Sequence, residues 1–257
     1  MSEPWSPAHL VGVARASVTV GVVPHAFQPI WDLRAGRVLG FEALARFAGG
    51  EPPQDVWEAA RAESGDLWLE LDRVSIASAL AQARGLPGLL FVNISGLYLA
   101  GRQPHGGVVR AAIAEHRPQP RSLVIEVTED GAGAVVGAGE LPRALRERGL
   151  LLALDDADRG PYTRQRLAAF GAHFSFVKVG PQALAGGPRR LRRWVLRAAA
   201  CGADVIAEGI ENLAALPLLE SAGVRLGQGY GLGRPLPAGH WTPELLRHMG
   251  SLAAPAG

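Results

Sequence analysis

The sequence predicts an α/β fold, a modified (β/α)₈ TIM-like barrel with one antiparallel strand near the N-terminus. Three features carry this expectation. Eight short β-rich runs recur along the 257 residues, several of them unbroken apolar stretches of the kind buried on both faces of a parallel sheet. Helical stretches separate most of these runs, as in βα units. The length itself matches one closed barrel of about 250 residues.

The runs can be taken in order. HAFQPIWD (25–32) is the first and RVLGFEALARF (37–47) the second. They are joined through LRAGR (33–37), too short for a crossover, so the two pair as an antiparallel hairpin. Helices DVWEAARA (55–62) and LWLELDRVSIASALAQARG (67–85) precede the third run, LLFVNIS (89–95). Helix GGVVRAAIAEH (106–116) leads to the fourth, SLVIEVTE (122–129), and helix ELPRALRERG (140–149) to the fifth, LLLALDD (150–156). Helix RQRLAAFG (164–171) leads to FSFVKVG (174–180), PRRLRRWVLRAAACG (188–202) to ADVIAEGI (203–210), and NLAALPLLESAG (212–223) to VRLGQGYG (224–231). Many of the helices close on glycine, the residue best suited to a helix C-terminus. The expected division is an N-terminal helical extension (1–24), a barrel domain (25–245) and a flexible tail (246–257).

Bulk composition narrows the function classes. Hydrophobic residues make up 48% of the chain, enough for a large core. A formal net charge of +2 gives no electrostatic case for binding polymeric nucleic acid. Cys201 is the one cysteine, so no internal disulfide forms, and a reducing cytoplasm is the expected location. The apolar N-terminal stretch HLVGVARASVTVGVV is interrupted by Arg15 and is shorter than the roughly 20 residues that span a bilayer. No cleavage-site pattern follows it.

Polar residues gather at the C-terminal ends of the runs: Glu42, Asn93, Glu126 and Glu129, Asp155 and Asp156, Lys178, Glu208 and Glu211, and Gln228. In a barrel those ends share one rim, where active sites lie. Such a rim offers hard oxygen donors with neither thiolate nor histidine, a set that suits Mg²⁺ or Mn²⁺ rather than zinc. Adjacent carboxylates repel unless a cation lies beside them. Two ions about 4 Å apart, bridged by a carboxylate such as Asp155, would balance this charge and serve displacement at phosphorus. Lys178 would orient or polarise an attacking water, and Glu208 would take its proton or ligate a metal.

These runs resemble the EAL-domain family, phosphodiesterases that hydrolyse the bacterial messenger cyclic di-GMP. FQPIWDLRAGRVLGFEALARF contains the Glu42-Ala43-Leu44 signature, and FVNIS, IEVTE, LDD, VKV, IAEGIE and GQGYGLGRPLP follow in the expected order over about residues 25–240. The resemblance implies a barrel whose second strand is antiparallel, and two-metal hydrolysis of cyclic di-GMP to linear pGpG. By position it implies that Glu42, Asn93, Glu126, Asp155, Asp156 and Glu208 hold Mg²⁺ or Mn²⁺. Lys178 would position the water, with Glu208 and Glu129 completing the catalytic group and Glu129 bracing the loop after the fifth run. Gln228 would support bound water or substrate, Arg46 would contact a substrate phosphate, and Gln28 and Leu44 would line the nucleotide groove. A homodimer is also implied.

The chain departs from the family pattern in two places. DDADRGPY (155–162) has Asp158 where a glycine is usual, Arg159 for a small residue and Pro161 for an aromatic. KVG has Gly180 where an acid is usual, which removes one negative charge near the rim. The alternative function is therefore a catalytically weak or inactive cyclic di-GMP receptor, or a protein-interaction module. Simpler readings also stand for single residues: a cap or turn for Asp155 and Asp156, a counter-ion for Lys178, a solvated face for the arginines of PRRLRRW, and packing for Trp57 and Trp68.

Overall fold

The computed structural model describes residues 5–94, 123–127, 147, 150–159, 167 and 174–253. Eight strands close into a barrel in chain order: β1 (His25–Asp32), β2 (Arg37–Ala45), β3 (Leu89–Ile94), β4 (Leu123–Val127), β5 (Leu151–Leu154), β6 (Phe176–Val179), β7 (Asp204–Ala207) and β8 (Leu226–Gly227). Around them, among the described residues, stand α1 (Pro7–Val20), α2 (Pro53–Glu63), α3 (Gly65–Gln82), α4 (Pro181–Ala185), α5 (Gly187–Ala200), α6 (Leu216–Ala222) and α7 (Pro243–Ala253). None of these helices is long and apolar enough to cross a membrane. Helices expected at 106–116, 140–149 and 164–171 lie outside the described residues, apart from Glu147 and Leu167, which are helical.

The reversed strand is β1, not the second strand that the resemblance implied. β1 is antiparallel to both β2 and β8, while every pair from β2–β3 to β7–β8 is parallel. The cause is local. Helices α2 and α3 return the chain from β2 to the start of β3, so those strands share a direction. The turn Leu33–Gly36 has no such crossover and flips β1 alone. A glycine allows the close seam between β2 and β3: a Cβ on Gly40 would meet the Leu89 carbonyl oxygen at 2.1 Å.

Ile30, Phe91, Val124, Ala153, Phe176, Ile206 and Leu226, one from each strand except β2, pack together as a dry floor inside the barrel. Side chains on a strand return to the same face every second residue. Two residues on from the floor come Asn93, Glu126, Asp155, Lys178, Glu208 and Gln228; on β2, Glu42 lies two residues past Gly40. On reversed β1 the matching residue is two positions earlier, Gln28. The polar ring is therefore a consequence of strand periodicity laid over an apolar floor.

A larger core fills the space between the barrel and its helices, and a smaller one joins α1 to α2 and α3 through Leu10, Ala14, Val56, Ala60, Leu71 and Val74. Ser6 caps α1, its side chain accepting from His9 N–H at 3.2 Å. The segment from 246 onward, expected as a flexible tail, is instead helical to Ala253. Leu245, Leu246 and Met249 form an apolar stripe against the core, and the buried Trp241 just before α7 donates its Nε1–H to the Phe27 carbonyl at 2.9 Å.

Candidate active site

Lys178 is 1% exposed and its ammonium stands among four carboxylates. Its Nζ lies 2.8 Å from Glu126 Oε1, 3.0 Å from Glu208 Oε1, and 3.3 Å from both Glu42 Oε2 and Asp155 Oδ1. Burial alone would lower the Lys178 pKa, but the surrounding Asp155, Glu126, Glu208 and Glu42 hold it well above its ordinary value. The amine is a fixed positive charge.

The carboxylates differ in what their surroundings do to them. Burial pushes Glu42 up, but Lys178, hydrogen bonding from Gln228 and Asn93, and the neighbouring Glu126 outweigh it and keep Glu42 below its usual range. Gln228 Nε2 donates to Glu42 Oε2 at 2.5 Å and Asn93 Nδ2 to Oε1 at 3.1 Å. Glu126 goes the other way: burial, with Glu42 and Asp155 adding to it, drives it well above the carboxylate range despite Lys178. Glu208 is raised to about 8, chiefly by burial and partly by Asp155 and Glu42, against the pull of Lys178. One lysine does not neutralise this many acids, so the carboxyls are pushed apart, Glu42 down and Glu126 and Glu208 up.

Asp155 and Asp156 directly follow β5. Asp155 N–H donates to the Val127 carbonyl at 3.1 Å, which seats the pair beside β4. Asp156 has φ +48°, and it is the one non-glycine residue with positive φ among those described. Aspartate tolerates this region better than most side chains, and such conformations concentrate at functional sites. Burial and the neighbouring Asp155 raise the Asp156 carboxyl, while Arg159 opposes the shift. Arg159 pairs with Asp156 through Nε–Oδ1 at 3.1 Å and Nη1–Oδ2 at 3.3 Å.

Beside this cluster opens a pocket of about 450 Å³. Leu44, Arg46, Asn93 and Asp156 line it, as do His25, Trp57, Trp68, Asp72 and Arg159. Trp57 donates its Nε1–H to Asp72 Oδ1. Sequence reasoning assigned both tryptophans to packing. They do pack on the cores, but each also presents part of its surface to the pocket. Gln28 sits deeper, accepting from Gln228 Nε2 at 3.1 Å and donating to the Gly233 carbonyl at 3.0 Å. Of the residues expected at the site, Glu42, Glu126, Asp155, Lys178 and Glu208 meet directly, and Asn93, Gln228 and Gln28 join them through hydrogen bonds. Glu129 lies outside the described residues, and Glu211 is exposed beside Asn212, which caps the turn at Leu213–Ala215.

The donor set fits a divalent cation. One oxygen from each of Asp155, Asp156 and Glu208 can be chosen so that all lie within 4.8 Å of one another. Glu126 Oε2 and Gln228 Oε1 are buried without a hydrogen-bond partner among the described residues. Orphaned buried oxygens facing a carboxylate cluster are the groups that a hard cation or its water shell satisfies.

Comparison with known proteins agrees with this geometry. The chain is 30% identical over 230 residues to the cyclic di-GMP phosphodiesterase RocR of Pseudomonas aeruginosa, covering 84% of this chain but 58% of that protein, so it spans little more than half of that relative's length. Among solved structures, Klebsiella pneumoniae BlrP1 in complex with calcium and cyclic di-GMP is 26% identical, with a TM-score of 0.72 over 92% of this chain and 58% of that one. The EAL enzyme Bd1971, bound to cAMP and cyclic di-GMP, shares the fold with a TM-score of 0.78 at 21% identity, over 95% of this chain and 69% of that one. The model of the EAL domain matches residues 17–235, and with the barrel, the reversed first strand and the acidic rim in place, the chain belongs to the EAL domain family.

Proposed function

We propose that the chain is a cytoplasmic, metal-dependent phosphodiesterase that hydrolyses cyclic di-GMP to linear pGpG. The observation that carries this reading is the convergence of Glu42, Glu126, Asp155 and Glu208 on Lys178, next to a pocket lined by Asn93, Asp156, Arg46 and Arg159. Two guanidinium groups suit the phosphates of a cyclic dinucleotide, and the half-buried faces of Trp57 and Trp68 suit its flat bases.

Glu42, Asn93, Glu126, Asp155, Asp156 and Glu208 would hold Mg²⁺ or Mn²⁺, two ions in this reading. Bound there, the ions would supply positive charge to the phosphodiester oxygens and a nucleophile at neutral pH. Lys178 keeps its proton throughout and orients the attacking water among the carboxylates. Gln228 and Asn93 hold Glu42 ionised and fixed in place, and Gln28 fixes Gln228 in turn. Glu208, 3.0 Å from Lys178 Nζ, would take the proton of the attacking water or ligate a metal. Glu129 would brace the loop after β5.

One observation favours the receptor as a second reading: Arg159 already occupies both oxygens of Asp156. The deciding experiment incubates the purified chain with cyclic di-GMP and Mn²⁺ and follows products by chromatography. Accumulation of pGpG is the expected outcome. Binding without product would establish the receptor, and neither binding nor product would overturn both readings in favour of an interaction module.

A further inference from the structure

We propose that Asp158 is a positioning residue for Asp155 and Asp156, tying the loop that carries them to the backbone that follows Lys178. The proposal rests on the reading of the rim as a cation site, and it concerns a residue that is not among the carboxylates paired with Lys178.

Gly180 precedes α4 and has no side chain to accept the free amide hydrogens of the first turn. Asp158 accepts them from another loop. Its Oδ1 accepts from Gly180 N–H at 2.8 Å and its Oδ2 from Ala183 N–H at 2.7 Å, so both carboxylate oxygens are committed to backbone donors. One residue earlier, Ala157 N–H donates to the Lys178 carbonyl at 2.9 Å. With Asp155 N–H on the Val127 carbonyl, the stretch 155–158 is strung between β4 and the end of β6. Asp156 sits between these anchors at its positive φ, a conformation that persists only where its surroundings enforce it. The direction of the Asp156 carboxylate therefore depends on the attachment that Asp158 makes.

Gly180 matters to this arrangement through its size. Its backbone, φ −87° and ψ −168°, is open to any residue. A Cβ there would lie 3.3 Å from Asp158 Oδ1, within the space the carboxylate needs. Asp158 and Gly180 are two of the positions at which the chain departs from the pattern it resembles, and in the fold they touch. A carboxylate absent from one position is supplied from the other.

The test titrates Mn²⁺ calorimetrically into the metal-free chain, at a temperature where circular dichroism shows each variant folded. Asp158→Ala is expected to weaken Mn²⁺ binding about ten-fold, the usual scale for partners that orient metal ligands. Ser6→Ala removes a helix cap at the start of α1 that belongs neither to the rim nor to the pocket wall, and should leave the affinity unchanged. The double variant Asp158→Gly with Gly180→Asp should recover most of the loss. Equal affinity of the unaltered chain and Asp158→Ala overturns the proposal, as does an equal loss in Ser6→Ala or a double variant no better than Asp158→Ala. Should Asp158→Ala fail to fold, Asp158→Asn, which retains one acceptor oxygen, is measured: an intermediate loss supports the proposal and an unchanged affinity overturns it. If the unaltered chain binds no Mn²⁺, the cation reading falls, and this proposal with it.

Discussion

Glu126 Oε1 lies 2.8 Å from Lys178 Nζ, closer than any of the other three carboxylates around that amine, and both side chains are sealed from solvent. Burial nevertheless pushes the Glu126 carboxyl well up, whereas Lys178, with Gln228 and Asn93 donating, keeps Glu42, 3.3 Å from the same amine, below its usual range. Replacement by the neutral amide should separate the two. Glu126→Gln removes the charge that burial disfavours and should cost less than about 1 kcal/mol of stability. Glu42→Gln turns an amide group toward a donor that now lacks an acceptor, and should cost about 2–3 kcal/mol. Urea denaturation of both variants measures the difference, and equal losses would show that the two acids share one charge state.

Lys178→Met removes, among the described residues, the one positive charge inside a buried acidic ring. Breaking a buried ion pair from one side costs about 3–5 kcal/mol, and the loss should appear in thermal unfolding without added metal. Turnover of cyclic di-GMP should fall by about 100-fold or more, with KM nearly unchanged, since an orienting group acts chiefly on the transition state. A large rise in KM at constant kcat would instead make Lys178 a substrate contact.

A cation that binds the folded rim and not the unfolded chain raises stability by mass action. At a hundred times its dissociation constant Mn²⁺ should add about 2.7 kcal/mol, a rise of roughly 5–10 °C in Tm for a chain of this size. EDTA should reverse it. Differential scanning calorimetry with and without the metal checks this, and a Tm that ignores Mn²⁺ would leave the rim carboxylates as proton-sharing groups only.

His25 supplies a pH dependence away from the acidic ring. Burial, with Arg46 adding to it and the Val23 carbonyl opposing, lowers its pKa from 6.5 to about 4. The neutral ring donates Nδ1–H to the Val23 carbonyl at 2.9 Å and accepts at Nε2 from the Ser75 hydroxyl at 3.2 Å. The unfolded chain thus binds a proton between pH 6.5 and 4 that the folded chain refuses, and stability must fall as pH drops through that window. The full loss is about 3 kcal/mol. His25→Gln should flatten this part of the stability profile, and an unchanged slope would place the titrating group elsewhere.

Gly40→Ala tests barrel closure. Its Cβ would press on the Leu89 backbone at 2.1 Å, and backbone in a sheet does not step aside. A loss of at least about 2 kcal/mol is expected from overpacking alone, read as a lowered urea midpoint, whereas Gly12→Ala, in open space on α1, should be neutral or stabilising.

Most of the polar ring was legible because its members stand at the C-terminal ends of apolar strands: Phe176 to Lys178 and Val124 to Glu126 read alike in sequence and in space, while Gln28 lies two residues before Ile30 on the reversed strand. β1 was legible to both ends, since the turn after Asp32 and the Pro24 before it mark its limits. Other features left no local trace. The pairing of Asp158 with Gly180 joins residues whose types say nothing about contact until two strands lie side by side. α7 was missed because Leu245, Leu246 and Met249 make a short stripe beside alanines and a proline, and only the groove left by the β1–β2 turn makes it a helix with a place to go. The direction of β1 was hidden for a similar reason: a hairpin says that two strands oppose each other, not which one agrees with the rest.

That direction has an architectural outcome. In a barrel whose first strand points the ordinary way, the polypeptide enters at the base, with the whole depth of the β-cylinder between the entrance and the mouth. Here His25, the first residue of β1, stands beside Arg46 in the wall of the pocket, and α1 rests on the two helices that form the same wall. The polypeptide thus enters at the mouth of the cylinder, and α1 packs on the outer side of the helices whose Trp57 and Trp68 line the cavity.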